Sequence, residues 1–210
     1  MRWAVLVGGT GSNLLAMLQA DVPVSLVISH RREVPALAIA AHHKIVAHVL
    51  DAKAIRDRER YDEELRNLLT AHQIEAIAMA GYMRWLTEKT VKAYRGRVVN
   101  VHPSLLPAFP GLHAVDQAYR HGVRWTGVTI HFVDEGQDTG PIIMQMPVPI
   151  RPGESLESLE AKIHAAEHRL YPEIVWALER GWIHMSSGGE VLWDLSQKEV
   201  ESWMHGLYSV

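Results

Sequence analysis

The chain contains no cysteine. That absence excludes disulfides, thiolate nucleophiles and cysteine–zinc sites together, and it suits a cytoplasmic protein. Long apolar runs are missing as well. None approaches about 18 residues, so no membrane span is expected, and "MRWAVLVGG" is too short for a signal peptide. No block of basic residues stands out. The 21 Lys and Arg face 24 Asp and Glu, and in "RDRERYDEELR" the two signs interleave as on a solvated helix face. A nucleic-acid footprint is therefore not expected. Thirteen histidines are present, yet His42/His43, His113 and His164/His168 form no recognisable ligand set and H-E-x-x-H is absent, so no metal is expected. Repeats, linkers and low-complexity segments are lacking too.

What is present is 210 residues, 48% of them hydrophobic, enough to bury roughly 70% of the unfolded surface in one domain spanning 1–210. "WAVLV" (3–7) is a short β-like run that stops at "GGTGSN" and leads into the helical pattern "LLAMLQA". Further strand-like runs are "VPVSLVIS" (22–29), "IVAHVL" (45–50), "IEAIAMA" (74–80) and "GRVVNV" (96–101). Helical segments separate them: "PALAIAAHH", "IRDRERYDEELRNLLTAHQ" (55–73) and "TEKTVKAYR". This alternation predicts an α/β fold with a doubly wound, mostly parallel, Rossmann-like sheet. After residue 120 the pattern changes. "WTGVTIHFVDEG" (125–136) and "DTGPIIMQMPVPI" predict an antiparallel addition, and 155–181 a long helix with Ser155 as its cap and Gly181 as its stop. The tail from 186 reads as a hairpin turn, a short strand and a terminal helix.

Three stretches carry chemical content. In "GGTGSNLLAML" (8–18) a glycine loop opens a helix, which suits a phosphate held by Gly11, Ser12 and Asn13. It is neither a Walker A loop nor a full dinucleotide fingerprint, and "VISHRREV" supplies no clear ribose-binding acid. A tight turn capped by Ser12 or Asn13 is the plainer alternative. In "NVHPSLLPAFPGLHA" (100–114) Asn100 and His102 share one side of a strand end, at the edge where open α/β sheets bind ligands. An amide donor beside an imidazole is what acyl transfer needs. In isolation, N-x-H is more often a turn cap beside a structural histidine. Three of the ten prolines follow at once and stiffen the chain. In "HFVDEGQDTGPII" (131–143) Asp138 lies between two glycines; near His102 it would favour the imidazolium and orient the ring. The commoner fate of D-T-G is a satisfied turn, and His131 is either a second ring in the site or an outward residue.

Taken together, "GGTGSN", "AGYMRWL" (80–86), "VNVHPSLLPAFPGLHA" (99–114), "GVTIHFVDEGQDTGPII" (127–143) and "AAEHRLYPEIV" (165–175) resemble the folate-dependent formyltransferases over essentially the whole chain. The G-x-G-S-N start is similar to the branch whose acceptor is glycinamide ribonucleotide. The resemblance implies the formyltransferase fold, with a phosphate-binding N-terminal half and a C-terminal half carrying folate and the catalytic loop. It implies Asn100, His102 and Asp138 as the catalytic trio, and Gly11, Ser12 and Asn13 on the acceptor's phosphate. Glu167 would meet the glycinamide portion. Arg58, Met83, Arg84, Trp85, Leu86 and Asn100 would contact the folate. Trp85 departs from the smaller aliphatic usual there, and Thr139 stands where glycine is also common.

What the resemblance implies chemically is formyl transfer from 10-formyltetrahydrofolate, as cosubstrate, to the glycinamide amine in purine biosynthesis, by a cytoplasmic monomer or homodimer without metal. Two rivals differ in kind. Other folate-dependent formyl enzymes act on methionyl-tRNA or sugar nucleotides, or hydrolyse the formyl-folate. The tRNA enzyme is expected to carry a basic C-terminal domain and the hydrolase an extra N-terminal regulatory domain. A non-catalytic nucleotide-binding module would leave Asn100, His102 and Asp138 idle.

Overall fold

The computed structural model describes residues 1–208; the end of the tail segment, 209–210, lies outside them. The chain alternates β1 (Trp3–Val7), α1 (Ser12–Gln19), β2 (Val24–Ser29), α2 (Pro35–His42), β3 (Val46–Val49), α3 (Arg58–Ala71), β4 (Ala76–Ala80), α4 (Glu88–Ala93) and β5 (Val98–His102). Then follow α5 (Ala114–His121), β6 (Trp125–Phe132), β7 (Ile142–Pro149), α6 (Leu156–Glu179), β8 (Ile183–Met185), β9 (Val191–Trp193) and α7 (Gln197–Tyr208).

A seven-stranded sheet runs in the order β3-β2-β1-β4-β5-β6-β7, parallel from β3 through β5 and antiparallel at β5–β6 and β6–β7. The doubly wound expectation and the antiparallel addition both hold. The chain winds outward from β1 to β3, then returns to β4 on the other side of β1. A crevice is thereby left at the carboxyl ends of β1 and β4, the topological switch point.

Each central strand is buried on both faces, which is why the runs read as continuously apolar. In β1, Trp3, Val5 and Val7 pack with α1, α2 and α6, while Ala4 and Leu6 pack with α3 and α4. In β5, Val99 and Val101 take the first face and Val98 the second, so Asn100 and His102 project on the α3/α4 side. Among the described residues no helix is long and apolar enough to cross a membrane.

Locally, one expectation shifts, one holds and one helix is new. α3 begins at Arg58 rather than Ile55, because Asp57 caps it, its side chain accepting from Arg60 N at 2.7 Å. Ser155 does cap α6, accepting from Ser158 N at 3.2 Å. Helix α5 has no counterpart in the sequence reading. Its core face is Ala114, Val115, Ala118 and Tyr119, at helical spacing but over only two turns, directly after the proline-rich stretch.

Tyr171 ties the long helix to the sheet. Its ring is fully buried, and its hydroxyl lies 2.9 Å from Met79 O on β4 and 3.0 Å from Val99 O on β5. Tyr171→Phe is expected to lower unfolding stability by about 1–2 kcal/mol, read as a lower urea midpoint with an unchanged slope.

Candidate active site

The glycine loop follows β1. Gly11 is the N-cap of α1 with φ 79°, and a Cβ there would lie 2.7 Å from the Ala36 backbone, so only glycine fits without strain. No side chain caps this helix start, contrary to the plainer reading with Ser12 or Asn13 as cap. The first amides of α1 are left facing the crevice. Asn13 instead reaches across to α6, its amide nitrogen donating to Glu167 Oε2 at 3.0 Å while its own Oδ1 is buried without a partner. Glu167 is itself buried, and that burial holds its carboxyl above the ordinary carboxylate range, against the opposing pull of the Asn13 bond.

Two strands away, the antiparallel register places His131 opposite Asn100 and Thr129 opposite His102, so all four side chains share one face. Asn100 Nδ2 lies 3.2 Å from His131 Nε2, and His131 Nδ1 lies 2.8 Å from Phe132 O. The carbonyl can only accept, so Nδ1 carries the proton and Nε2 receives the amide. Burial pushes His131 below its ordinary value, against the pull of the Phe132 carbonyl and the Asp138 carboxylate. With Nε2 as acceptor the ring orients Asn100, whose second amide hydrogen has no partner among the described residues. Of its two readings from sequence, the second ring in the site is the one observed.

His102 is 4% exposed. Its Nε2 lies 2.9 Å from Phe109 O, and its Nδ1 stands 3.5 Å from Asp138 Oδ2. The Phe109 carbonyl can only accept, so Nε2 carries a proton and donates it there, while Nδ1 faces the carboxylate. Asp138 adopts φ 53°; its Oδ2 accepts from Gly111 N at 2.8 Å and its Oδ1 lies 3.8 Å from His131 Nε2. The tight fold-back that brings it there needs Gly140, where a Cβ would sit 1.8 Å from Phe132 O. Fused to this cluster is the proline-rich loop. Ser104 Oγ donates to Ala108 O at 2.5 Å, Leu106 N to Thr129 Oγ1 at 3.1 Å, and Gln145 Nε2 to Leu106 O at 2.8 Å. The role of Phe109 in this cluster had no sequence signal, because a backbone carbonyl acts through its place and not its side chain.

The 82–87 segment follows β4. Met83 and Trp85 are 66% and 56% exposed, whereas Leu86 is buried in the α3/α4 core and offers its carbonyl to Arg58 Nη2 at 2.8 Å. Arg58 lies 6.0 Å from the Trp85 ring centroid, and Arg84 stacks 3.9 Å over Tyr61. Thus the structure joins Asn100, His102 and Asp138 in one cluster, Asn13 and Glu167 in a second, and Arg58, Trp85 and Leu86 in a third. All three lie around the carboxyl edge of β1, β4 and β5. The Leu86 side chain faces the core. Among the described residues no group of three or more His, Asp or Glu side chains could hold a metal ion.

Residues 1–175 match the family described as formyl transferase. Phosphoribosylglycinamide formyltransferase of Bacillus subtilis is 37% identical over 83% of this chain and 92% of its own length. The trifunctional purine biosynthetic protein adenosine-3 of Drosophila melanogaster is 45% identical over 86% of this chain, which spans 14% of that longer protein. The crystal structure of glycinamide ribonucleotide transformylase 1 from Symbiobacterium toebii superposes with a TM-score of 0.87 at 39% identity, covering 92% of this chain and 93% of that one.

Glu167 binds its proton more tightly folded than unfolded. Its burial therefore costs nothing below its ordinary value of 4.5 and becomes destabilising as pH rises through the raised folded value. Glu167→Gln cannot ionise and keeps an acceptor for Asn13. The variant is expected to melt no lower than wild type at pH 8, with the two curves converging below pH 4.5; a lower melting temperature at pH 8 contradicts this account.

Proposed function

The chain belongs to the formyl transferase family, and within it we propose that the reaction is transfer of the formyl group of 10-formyltetrahydrofolate to the amine of glycinamide ribonucleotide. The products are N-formylglycinamide ribonucleotide and tetrahydrofolate, a step of purine biosynthesis. One observation carries the reading: the Asn100–His102–Asp138 cluster lies two strands from the glycine loop, along β1–β4–β5. At the usual strand spacing that is roughly 10 Å. A phosphate and an amine separated by one ribose and one glycinamide unit span such a gap.

In this reading the amides of Gly11, Ser12 and Asn13 grip the phosphate, and Glu167 meets the glycinamide portion. Met83 and Trp85, exposed apolar side chains, face the pterin, with Arg58 and Arg84 supplying charge to the folate tail. The neutral amine attacks the formyl carbon, and the formyl oxygen gathers negative charge. Asn100 donates its free amide hydrogen to that oxygen. The formyl oxygen competes with the Phe109 carbonyl for the Nε2–H of His102, and Asp138 keeps the ring aligned. When the bond from carbon to the folate nitrogen breaks, that nitrogen takes up a proton and the attacking nitrogen loses one, through water. No covalent enzyme intermediate is needed.

Losing one oxyanion donor typically costs roughly 100- to 1,000-fold in rate. Asn100→Ala and His102→Ala are each expected to fold normally and to lose turnover on that scale; near-wild-type turnover removes that residue from the assignment. The function itself is read by following deformylation of 10-formyltetrahydrofolate with and without glycinamide ribonucleotide. Acceptor-dependent loss is expected. Loss without acceptor indicates a hydrolase, and no loss indicates a binding module.

A further inference from the structure

One face of α3 turns toward the 82–87 segment. Arg58, Tyr61 and Asp62 stand at helical spacings of three and four, and each bonds the 82–87 segment. Arg58 holds the Leu86 carbonyl, and Tyr61 Oη lies 2.9 Å from Tyr82 Oη. Asp62 holds Thr87 twice: Oδ1 accepts from the backbone N at 3.3 Å, and Oδ2 accepts from the hydroxyl. The segment is thereby fixed at both ends, with Met83 and Trp85 turned outward between them.

Asp62 is 2% exposed, and its charge is balanced by Arg66, whose Nη1 donates at 2.8 Å. The same Oδ2 also accepts from the Thr90 hydroxyl. Thr87 is the N-cap residue of α4, yet its side chain makes no capping bond to that helix. A hydroxyl that would ordinarily close its own helix start is turned instead to a carboxylate 25 residues away in sequence. Local stability is given up for the placement of the segment.

We propose that Asp62 is a positioning residue for the folate-facing segment, acting through Thr87 to fix the platform formed by Met83 and Trp85. This rests on the folate reading of that segment. A merely structural clamp between α3 and α4 would use Thr87 and Thr90 alike, since both hydroxyls meet the same oxygen. A positioning role separates them, because Thr87 ends the segment and Thr90 lies inside α4.

The test compares Thr87→Val, Thr90→Val and Thr87→Ser in the full chain. Melting temperature, calorimetric affinity for tetrahydrofolate, kcat, and KM for 10-formyltetrahydrofolate and for glycinamide ribonucleotide are measured on each. Both valine variants should melt lower by similar amounts. Thr87→Val should weaken tetrahydrofolate binding and raise the formyl-folate KM about tenfold, the scale of one bond to a charged group, with kcat and the acceptor KM within about twofold. Thr90→Val should leave both folate readouts within about twofold, and Thr87→Ser should restore them. Should Thr87→Val not fold, Thr87→Ala carries the same reading. Unchanged folate affinity in the Thr87 variant, or an equal loss in the Thr90 variant, overturns the proposal. Wild-type protein that binds tetrahydrofolate but shows no acceptor-dependent turnover overturns the proposed reaction while leaving this comparison valid. Wild-type protein that does not bind folate overturns both.

Discussion

The reversal of direction between β5 and β6 is the constraint on which the candidate site depends. Five strands run parallel, and a sixth parallel strand would place its own residues beside Asn100 and His102 in a slanted register. The antiparallel neighbour instead sets His131 and Thr129 directly opposite them. His131 then orients the Asn100 amide, while Thr129 Oγ1 receives Leu106 N and donates to Ser104 O at 2.7 Å, locking the proline-rich loop against β6. The connection after β6 folds back to bring Asp138 against both histidines. One pairing choice thus brings together an amide, two rings, a carboxylate and a rigid loop.

Three buried or half-buried carboxyl groups show how surroundings assign different work to the same chemistry. Asp62 faces a guanidinium and two hydroxyls, so its charge is matched and it holds structure together. Asp138 faces a backbone amide and two imidazoles, so it holds rings in place and has no fixed cation as its partner. Glu167 has Asn13 as its hydrogen-bond donor and no cation in an ion pair among the described residues; burial there favours the neutral acid. The three lie on different elements around one sheet edge, which keeps their roles separate.

Much of this was legible beforehand, for a physical reason. Strands buried on both faces must be apolar throughout, and amphipathic helices must repeat near 3.6, so the βα alternation was visible in the order of residues. The N-x-H spacing placed Asn100 and His102 on one side because strand geometry alone dictates it. Helix α5 escaped because its apolar face, Ala114, Val115, Ala118 and Tyr119, lasts only two turns beside the proline-rich loop. The part played by Phe109 escaped because a carbonyl carries no residue-specific mark. The Leu86 side chain turns to the core, since alternation along an irregular stretch is set by what packs beneath it.

The chain by itself determined the doubly wound α/β plan, the glycine loop, the same-side placement of Asn100 and His102 and the family resemblance, because each depends on local geometry or on residue order. Only the tertiary structure decided that Asp138 reaches His102, that His131 serves Asn100, that Asn13 bonds Glu167 instead of capping its own helix, and that Thr87 turns to Asp62. Those are contacts across 25 to 154 residues of sequence. Which of several satisfiable partners a polar side chain takes is settled by the strand order and pairing direction that bring the candidates together.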